Sequence, residues 1–363
     1  MPAQSLTLNY DALLSTTLFN YQKEMVDQIS TANAFLYTLM NKESEGYVSE
    51  DNIGDRAQIP LEYELQDADT YAGYDVITPT PIDGITSAFF PWTQMANTIM
   101  ISGIEEKKNS SEARLISLLE SKTKQATGGF QTKFNKALIQ GNGVNVASAV
   151  TTAYTSPDNG SVGFDPLGKS IGFDPTAATV GGIAASTNTW WQNKYYDMSS
   201  TAAGSGSPTP QVTTFAGFLK ALRHLRNECS KGVGGAPNLF LANQGVYELY
   251  EASLASAHRN PSYQTADIPF DNVAFYGKPI VWDEFMIDAK SGSTSITYGT
   301  IYMINTKFWQ LKYHSGTNFV ATPFQKALNQ DAKSAMILWL GALCSSNRRK
   351  QGVGGGIDMT IAS

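Results

Sequence analysis

Charge is scarce in this sequence. Asp, Glu, Lys and Arg make up 16% of its 363 residues, against roughly 25% in an ordinary soluble domain. The formal net charge is −6, so the basic footprint of a nucleic-acid-binding chain is missing. Cysteine is almost absent. Cys229 and Cys344 make neither a disulfide framework nor a metal-binding spacing, and they fit a chain made in a reducing compartment. Long hydrophobic runs are lacking too. AMILWLGALC at 335–344 is about half as long as a membrane-spanning helix requires, and residues 1–10 show no signal-peptide pattern.

Catalytic vocabulary is equally thin. His224, His258 and His314 stand far apart in unlike contexts, and His224, in ALRHLRNE, has the setting of an ordinary helix residue. No HExxH, GxSxG, GxxxxGK[ST] or CxxC occurs. The glycine-rich GVGG (232–235) and GVGGG (352–356) lack the strand-then-helix surroundings of a phosphate loop. No pair of carboxylates stands out. The sequence argues against an enzyme, and neither a cofactor nor a metal is expected.

What is present is aromatic and small-polar. Phe, Trp and Tyr reach 11%, and GGIAASTNTWWQNKYYD (181–197) places Trp190 beside Trp191. Neighbours on a helix lie about 100° apart and on a strand they face opposite ways. One indole can therefore fill a core while the other meets something else. Core packing and contact with another chain are both open, since Trp and Tyr are enriched at interfaces.

Periodicity divides the chain. Residues 10–41 carry Leu14, Leu18, Tyr21, Met25, Ile29, Ala32, Leu36 and Leu39 at helical spacing, as one helix or two in series. LEYEL (61–65) alternates as a strand. TPTPIDG (78–84) turns, and FFPWTQMANTIMISGI (89–104) runs back, so 57–106 predicts a long two-stranded arm. A lone hairpin is marginal in water and needs something to lie against. NSSE (109–112), with Asn109 as cap and Glu112 three residues on, opens a helix running to 140. Leu115, Leu119, Ala126, Phe130 and Ala137 mark its buried side. Gly128 and Gly129 sit mid-helix, where each costs roughly 0.5–1 kcal/mol relative to alanine, which predicts a bend, a hinge or close packing. Two GFDP units in 163–175 read as successive turns, and 199–211 as an exposed loop. Then come a helix at 213–230, a strand at 238–242, a helix at 244–257, a strand at 273–283, and apolar strands at 300–314 and 334–347. The triplet Arg348, Arg349, Lys350 closes the last of these.

In that order, the elements resemble the major capsid proteins of tailed double-stranded DNA bacteriophages, with the Hong Kong 97 phage capsid fold. TIMISGIEEKKNSSEARLISLLESK (98–122) is similar to the family's hairpin exit and spine-helix start, and VGGIAASTNTWWQN (180–193) to its Gly-Gly-Ile motif with the tryptophan pair. LFLANQGVYELYEASL (239–254) and LNQDAKSAMILWLGALCSSNRRKQGV (328–353) complete a likeness that covers nearly the whole chain from residue 57. Ala184 and Ala185 depart from it, because many relatives carry Asp and a second polar residue there.

The resemblance implies an α+β chain: an N-terminal arm (1–56), an extended β-hairpin E-loop (57–106), a P-domain spine helix (107–143), an α/β A domain (144–299) and P-domain strands to the end (300–363). It implies a structural role in an icosahedral head, with hexamers and pentamers closing around packaged DNA. The virion capsid would be its location, after synthesis in the host bacterial cytoplasm, and no membrane is involved. About 56 residues precede the hairpin, fewer than the internal scaffold some relatives carry, so a separate scaffolding protein is expected alongside a portal, with room for a decoration protein. Residues 1–60 hold three basic and eight acidic side chains (3 − 8 = −5), so only weak, non-specific contact with DNA is expected. Contacts between subunits are expected at Glu62, Glu64, Asp67, Phe89, Phe90 and Trp92 on the arm, at Arg114, Lys122 and Lys133 on the helix, and at Trp190, Trp191, Arg348 and Arg349. Gly128 and Gly129 are the hinge candidates. An encapsulin-type compartment shares the fold and is the alternative, ahead of a ligand-binding protein or adhesin.

Overall fold

The computed structural model describes residues 33–40, 46–50, 54–64, 70, 72–74, 83–108, 112–139, 141, 163, 165–198, 212–257, 273–286, 289–290, 297–326 and 330–361. For Met40, 112–117, 255–257, 289–290 and 297 only the backbone is described. The helices expected before residue 33, the Asn109 cap, the first GFDP unit in part and the 199–211 loop lie outside these residues.

The described chain starts with helix α1 (Ala34–Met40), whose first turn is capped by the Asn33 side chain. Its Oδ1 accepts from the N–H of Phe35 at 2.7 Å and of Leu36 at 3.1 Å, satisfying donors that a helix start leaves free. Strand β1 (Tyr47–Glu50) follows, then the antiparallel pair β2 (Arg56–Glu62) and β3 (Ile85–Pro91), in register from Arg56 opposite Pro91 to Glu62 opposite Ile85. Burial alternates strictly along β2, with Ala57, Ile59 and Leu61 inside. The alternation predicted at 61–65 therefore begins earlier and ends at Glu62.

Strand β4 (Thr93–Ser102) does not prolong the hairpin, contrary to the single arm expected over 57–106. After Trp92 the chain leaves β2 and pairs instead with a late strand. Helices α2 (Gly103–Lys108) and α3 (Glu112–Ile139) come next. At 28 residues α3 spans about 42 Å. The middle of the chain supplies α4 (Leu167–Ser170), the small hairpin β5 (Thr179–Val180) and β6 (Ile183–Ala184), β7 (Lys194–Asp197), α5 (Phe215–Ser230), β8 (Leu239–Ala242) and α6 (Gln244–Ala257). The remainder is β9 (Val273–Phe275), β10 (Lys278–Trp282), β11 (Ala289–Lys290), β12 (Thr297–Ile304), β13 (Trp309–His314), β14 (Val320–Ala321), β15 (Gln325–Lys326), β16 (Ala332–Ser345) and β17 (Gly352–Asp358).

Two sheets organise these elements. In the first, β16 carries β4 along one edge and β13, β14 and β15 along the other, with β1 added parallel to β13. Ile99 and Ile101 of β4 and Ala335, Ile337 and Trp339 of β16 share the face that packs with α3, together with Leu119, Phe130 and Phe134. Phe134 meets Trp339 edge-on at 5.0 Å between centroids, and Phe130 meets Phe319 at 5.3 Å. Phe319 holds a left-handed φ of 53°, costly for a bulky residue, and its ring closes this aromatic cluster.

The second sheet runs β7-β17-β12-β8-β10-β9, with β11 beside β12. Both its faces are buried. Phe240, Ala242, Ile301 and Met303 pack with α5 and α6, while their alternating neighbours Leu239, Leu241, Tyr302 and Ile304 join the core around α3. That two-sided burial explains why β8 reads as an unbroken apolar run.

Three sequence expectations change. The strand predicted at 273–283 is a hairpin, because Tyr276 and Gly277 take left-handed φ of 52° and 72°, which is a two-residue primed turn. Strands 300–314 and the end of the chain divide between the sheets: β12 and β17 join the second, and β13 to β16 the first. The basic triplet forms one helical turn, and β17 follows it. GVGGG is thus a strand. A Cβ on Gly352 would lie 2.6 Å from Cys229 Sγ, and one on Gly354 2.6 Å from Met198 Cε, so glycine lets β17 lie close against its neighbours.

Phe134→Ala should lower the unfolding free energy by about 3–5 kcal/mol, read as a lower denaturant midpoint. Removal of the exposed Lys124 on the same helix, ion-paired to Glu120 at 2.9 Å, should change it by less than about 1 kcal/mol.

Candidate assembly site: the hairpin seat and the long helix

The β2–β3 hairpin rests on its own chain. Ala57, Ile59, Leu61, Ala88 and Phe90 form one apolar cluster with Val180, Trp191, Ala342 and Cys344, flanked by Trp92, Ile183 and Trp190. The seat is made by the Gly-Gly-Ile segment. Gly181 and Gly182, at φ of 62° and 78°, turn β5 into β6, a two-residue turn that needs left-handed residues at both positions. The turn points Gly181 O at the arm, where it accepts from the Phe89 N–H at 2.9 Å. A Cβ on Gly181 would stand 2.8 Å from Ala88 Cβ and 3.2 Å from Phe90 Cζ, whereas one on Gly182 would meet nothing. Gly181 is therefore fixed twice, by its dihedral and by the strand beside it.

The two tryptophans divide the work. Trp191 is 1% exposed and donates Nε1–H to Val180 O at 3.0 Å. Trp190 stacks on Tyr63 at the arm's edge, with centroids 4.8 Å apart and planes 19° apart. Tyr63 donates its hydroxyl to Asp83 O and its N–H to Gly84 O, tying the two arm strands together. Asn188 Nδ2 and Gln192 Nε2 donate to the carbonyls of Ala184 and Ala185 at 2.9 and 2.7 Å. Backbone–amide contacts thus occupy this turn, where the sequence carries alanine in place of polar side chains. At the arm's exit Trp92 Nε1 donates to Gly54 O at 3.0 Å.

No protein-family model matches the sequence, and no curated protein matches it. Solved structures do match. The capsid asymmetric unit of cyanophage A-1(L) superposes with a TM-score of 0.55 at 11% identity, covering 87% of this chain and 92% of that one. The capsid of Myoviridae phage XM1 gives 0.53 at 12% identity, covering 88% and 92%. The holo-SrpI encapsulin complex of Synechococcus elongatus PCC 7942 gives 0.50 at 10%, covering 92% and 91%. The chain has the Hong Kong 97-type capsid fold.

Within this fold the sequence-predicted residues separate into exposed and buried sets. Glu62, Glu64 and Phe89 are exposed on the arm, Asp67 lies outside the described residues, and Trp92 is half-buried. Phe90, Trp191 and Arg348 are 2% exposed or less: they are enclosed by their own chain, which takes them out of the surface a neighbour could touch. Arg114 lies on α3, where only backbone is described, and Lys133 is exposed on the same helix. Lys122 lies 3.5 Å from Glu105 of its own chain, with both side chains partly exposed. The backbone N–H of Ser102, against partial desolvation and helped by Lys122, holds the Glu105 carboxyl below its usual range. Glu106 is likewise paired within the chain, to Lys333 at 2.9 Å. Gly128 and Gly129 sit in an unbroken helix, and among the described residues a Cβ would meet nothing at Gly128 and only Asn97 Nδ2, at 3.6 Å, at Gly129. Close packing therefore does not require either glycine. Asn97 donates to Ala126 O at 2.7 Å, and Thr132 to Gly128 O at 3.0 Å, so side chains share the helix's own acceptors around the pair.

The basic triplet does something the sequence did not disclose. Arg348 Nε donates to Ser170 O at 2.8 Å, and Nη2 to Asn193 Oδ1 at 3.3 Å. Burial alone pulls its guanidinium down to about 10. Arg349 stays exposed. Lys350 inserts its ammonium among the carbonyls of Ser230, Lys231 and Gly232, at 3.4, 2.8 and 3.0 Å, past the end of α5. GVGG contributes only Gly232 O to this set, as an acceptor for a lysine, which is the reverse of an anion loop. Gln351 bridges the two chain crossings between the sheets, accepting from Asn305 N–H at 2.8 Å and donating to Asn305 O at 3.1 Å. Sequence spacing gives no signal for these partners, because they come from segments far apart.

Gly181→Ala should release the hairpin, with a left-handed penalty of about 1–2 kcal/mol added to the collision with Ala88. Gly182→Ala should carry the penalty alone. Hydrogen exchange of 56–62 and 85–91 should rise more in the first variant than in the second.

Proposed function

We propose that this chain is a major capsid protein of a tailed double-stranded DNA bacteriophage, assembling into hexamers and pentamers around packaged DNA. The observation that carries the reading is the superposition on the cyanophage A-1(L) capsid over 87% of the chain. Supporting it is an arm with exposed Ile85 (73%), Phe89 (42%) and Tyr63 (37%). A seated arm with an apolar outer side suits contact with a second copy. Electron microscopy of the purified chain and of particles from infected cells should show closed shells, and nuclease-protected DNA should co-purify. Shells filled with protein cargo and no DNA would favour the encapsulin alternative, and a persistent monomer at high concentration would overturn both.

In this reading the β2–β3 hairpin supplies the E-loop, with β4 beyond it in the first sheet, α3 the spine helix and the second sheet the A domain. A separate scaffolding protein and a portal would be its assembly partners, and its contact with DNA would be weak. Gly128 and Gly129 would allow the spine helix to bend during maturation. The open space at Gly128 supports hinging over packing. Replacing both with alanine should leave the fold intact, raise helix stability by roughly 1–2 kcal/mol in total, and slow or block expansion of immature shells; expansion at the wild-type rate would exclude the hinge.

Covalent cross-links between subunits are not expected. Such chemistry needs an amine nucleophile on the arm, and no lysine occurs from Glu43 to Glu106. Mature particles boiled in denaturing detergent should run as one band near the 39.3 kDa chain mass, not as a ladder.

A further inference from the structure

The hairpin is gripped from both edges at one cross-strand pair. Gln58 of β2 stands opposite Phe89 of β3. The Phe89 N–H points out of the ladder and is taken by Gly181 O at 2.9 Å. In an antiparallel pair, a residue whose polar groups point outward faces a partner whose groups do the same. The Gln58 carbonyl accordingly points out on the other side, where it accepts from Lys312 Nζ at 3.2 Å. Neither bond competes with the ladder. The Gln58 side chain is engaged along the arm itself, with Nε2 donating to Ser87 Oγ at 2.9 Å.

Lys312 belongs to β13 and is 8% exposed. A buried ammonium needs a countercharge, and among the described residues Glu50 is its ion-pair partner. Glu50 is the last residue of β1, a strand of only four residues laid parallel on β13. Tyr47 docks the other end of β1. Its ring stacks on Tyr313 with centroids 4.2 Å apart, and its hydroxyl donates to Asn318 Oδ1 at 2.7 Å. One ammonium thus joins three segments: β1 through a carboxylate, β13 through its own backbone, and the arm through a main-chain carbonyl.

We propose that β1 is a latch for the arm and that Lys312 carries its effect. While β1 lies on β13, Glu50 neutralises Lys312 and the ammonium stays inside at Gln58 O. When β1 lifts, the countercharge leaves with it. A carbonyl alone does not compensate a buried ammonium, so Lys312 turns to water and Gln58 O loses its donor. The pair is then held from the Gly181 side only. Coupling of this kind is reciprocal: an arm that leaves its seat opens Lys312 to water and weakens the hold on β1. The latch belongs to the single chain, whatever that chain assembles into.

Hydrogen exchange on the intact chain reads both elements, at 47–50 and at 56–62 with 85–91. Glu50→Gln keeps the shape and removes the charge; it should raise opening of the arm by about tenfold. Tyr47→Ala, which loosens β1 at its other end, should raise it as well. Both effects should vanish in a Lys312→Met chain, and in a Lys312→Gln chain as a second background, because the arm there is already cut off from β1. Arm protection unchanged by Glu50→Gln and by Tyr47→Ala would overturn the proposal. So would increases of equal size with and without Lys312, since the two changes would then act by general destabilisation.

Discussion

The fourteen residues of β16 are the constraint on which the rest of the molecule depends. A strand shows two faces and two edges, and this one uses all four. One edge takes ten residues of β4, the other takes β13, β14 and β15, and Ala335, Ile337 and Trp339 face the long helix. Its last turns of pleat reach the hairpin seat through Ala342 and Cys344. A register shift of one residue would exchange the helix face for the opposite one, which is exposed at Met336 and buried in the hairpin seat at Ala342 and Cys344. Arm, helix and sheet are therefore positioned relative to one another by a single alternating pattern.

The second organising feature is polar. The chain passes between the two sheets after β12 and again after β16, and both crossings are held by hydrogen bonds of Asn305, Gln351, Asn193 and Arg348. Arg348 Nη1 is buried without a hydrogen-bond partner among the described residues, while Nε and Nη2 of the same guanidinium are bonded. Apolar packing would tolerate sliding. Directional bonds to named carbonyls fix the angle between the sheets, and Lys350 adds the end of α5 to the same joint.

Much of this architecture was legible in the residues. Alternation located the arm, helical spacing gave α3, the helices at 213–230 and 244–257 were expected where α5 and α6 stand, and a short apolar run marked β8. The failures have physical causes. β4 and β3 share one apolar stretch, and composition cannot show that pairing changes at Trp92. A left-handed tyrosine split one predicted strand into two, where turn chemistry would favour Asn or Gly. GVGGG was not predicted as a strand, because glycine weakens strands in isolation, whereas its use here is close approach. At the seat, Gly181 and the tryptophan pair were visible as a motif. Their partners Ala88, Phe90 and Tyr63 were not, because contacts across about a hundred residues leave no local trace.

The seated arm also bears on how association proceeds. Ordering a backbone residue costs about 1–2 kcal/mol of conformational entropy, and β2 and β3 hold seven residues each. Because the seat orders them within the chain, a neighbour in the proposed assembly would meet a strand pair that is already ordered. Encounter would then resemble the docking of rigid bodies, whose rates are limited by orientation. Nucleation of an assembly would depend steeply on subunit concentration, with little contribution from slow folding of the arm at each contact.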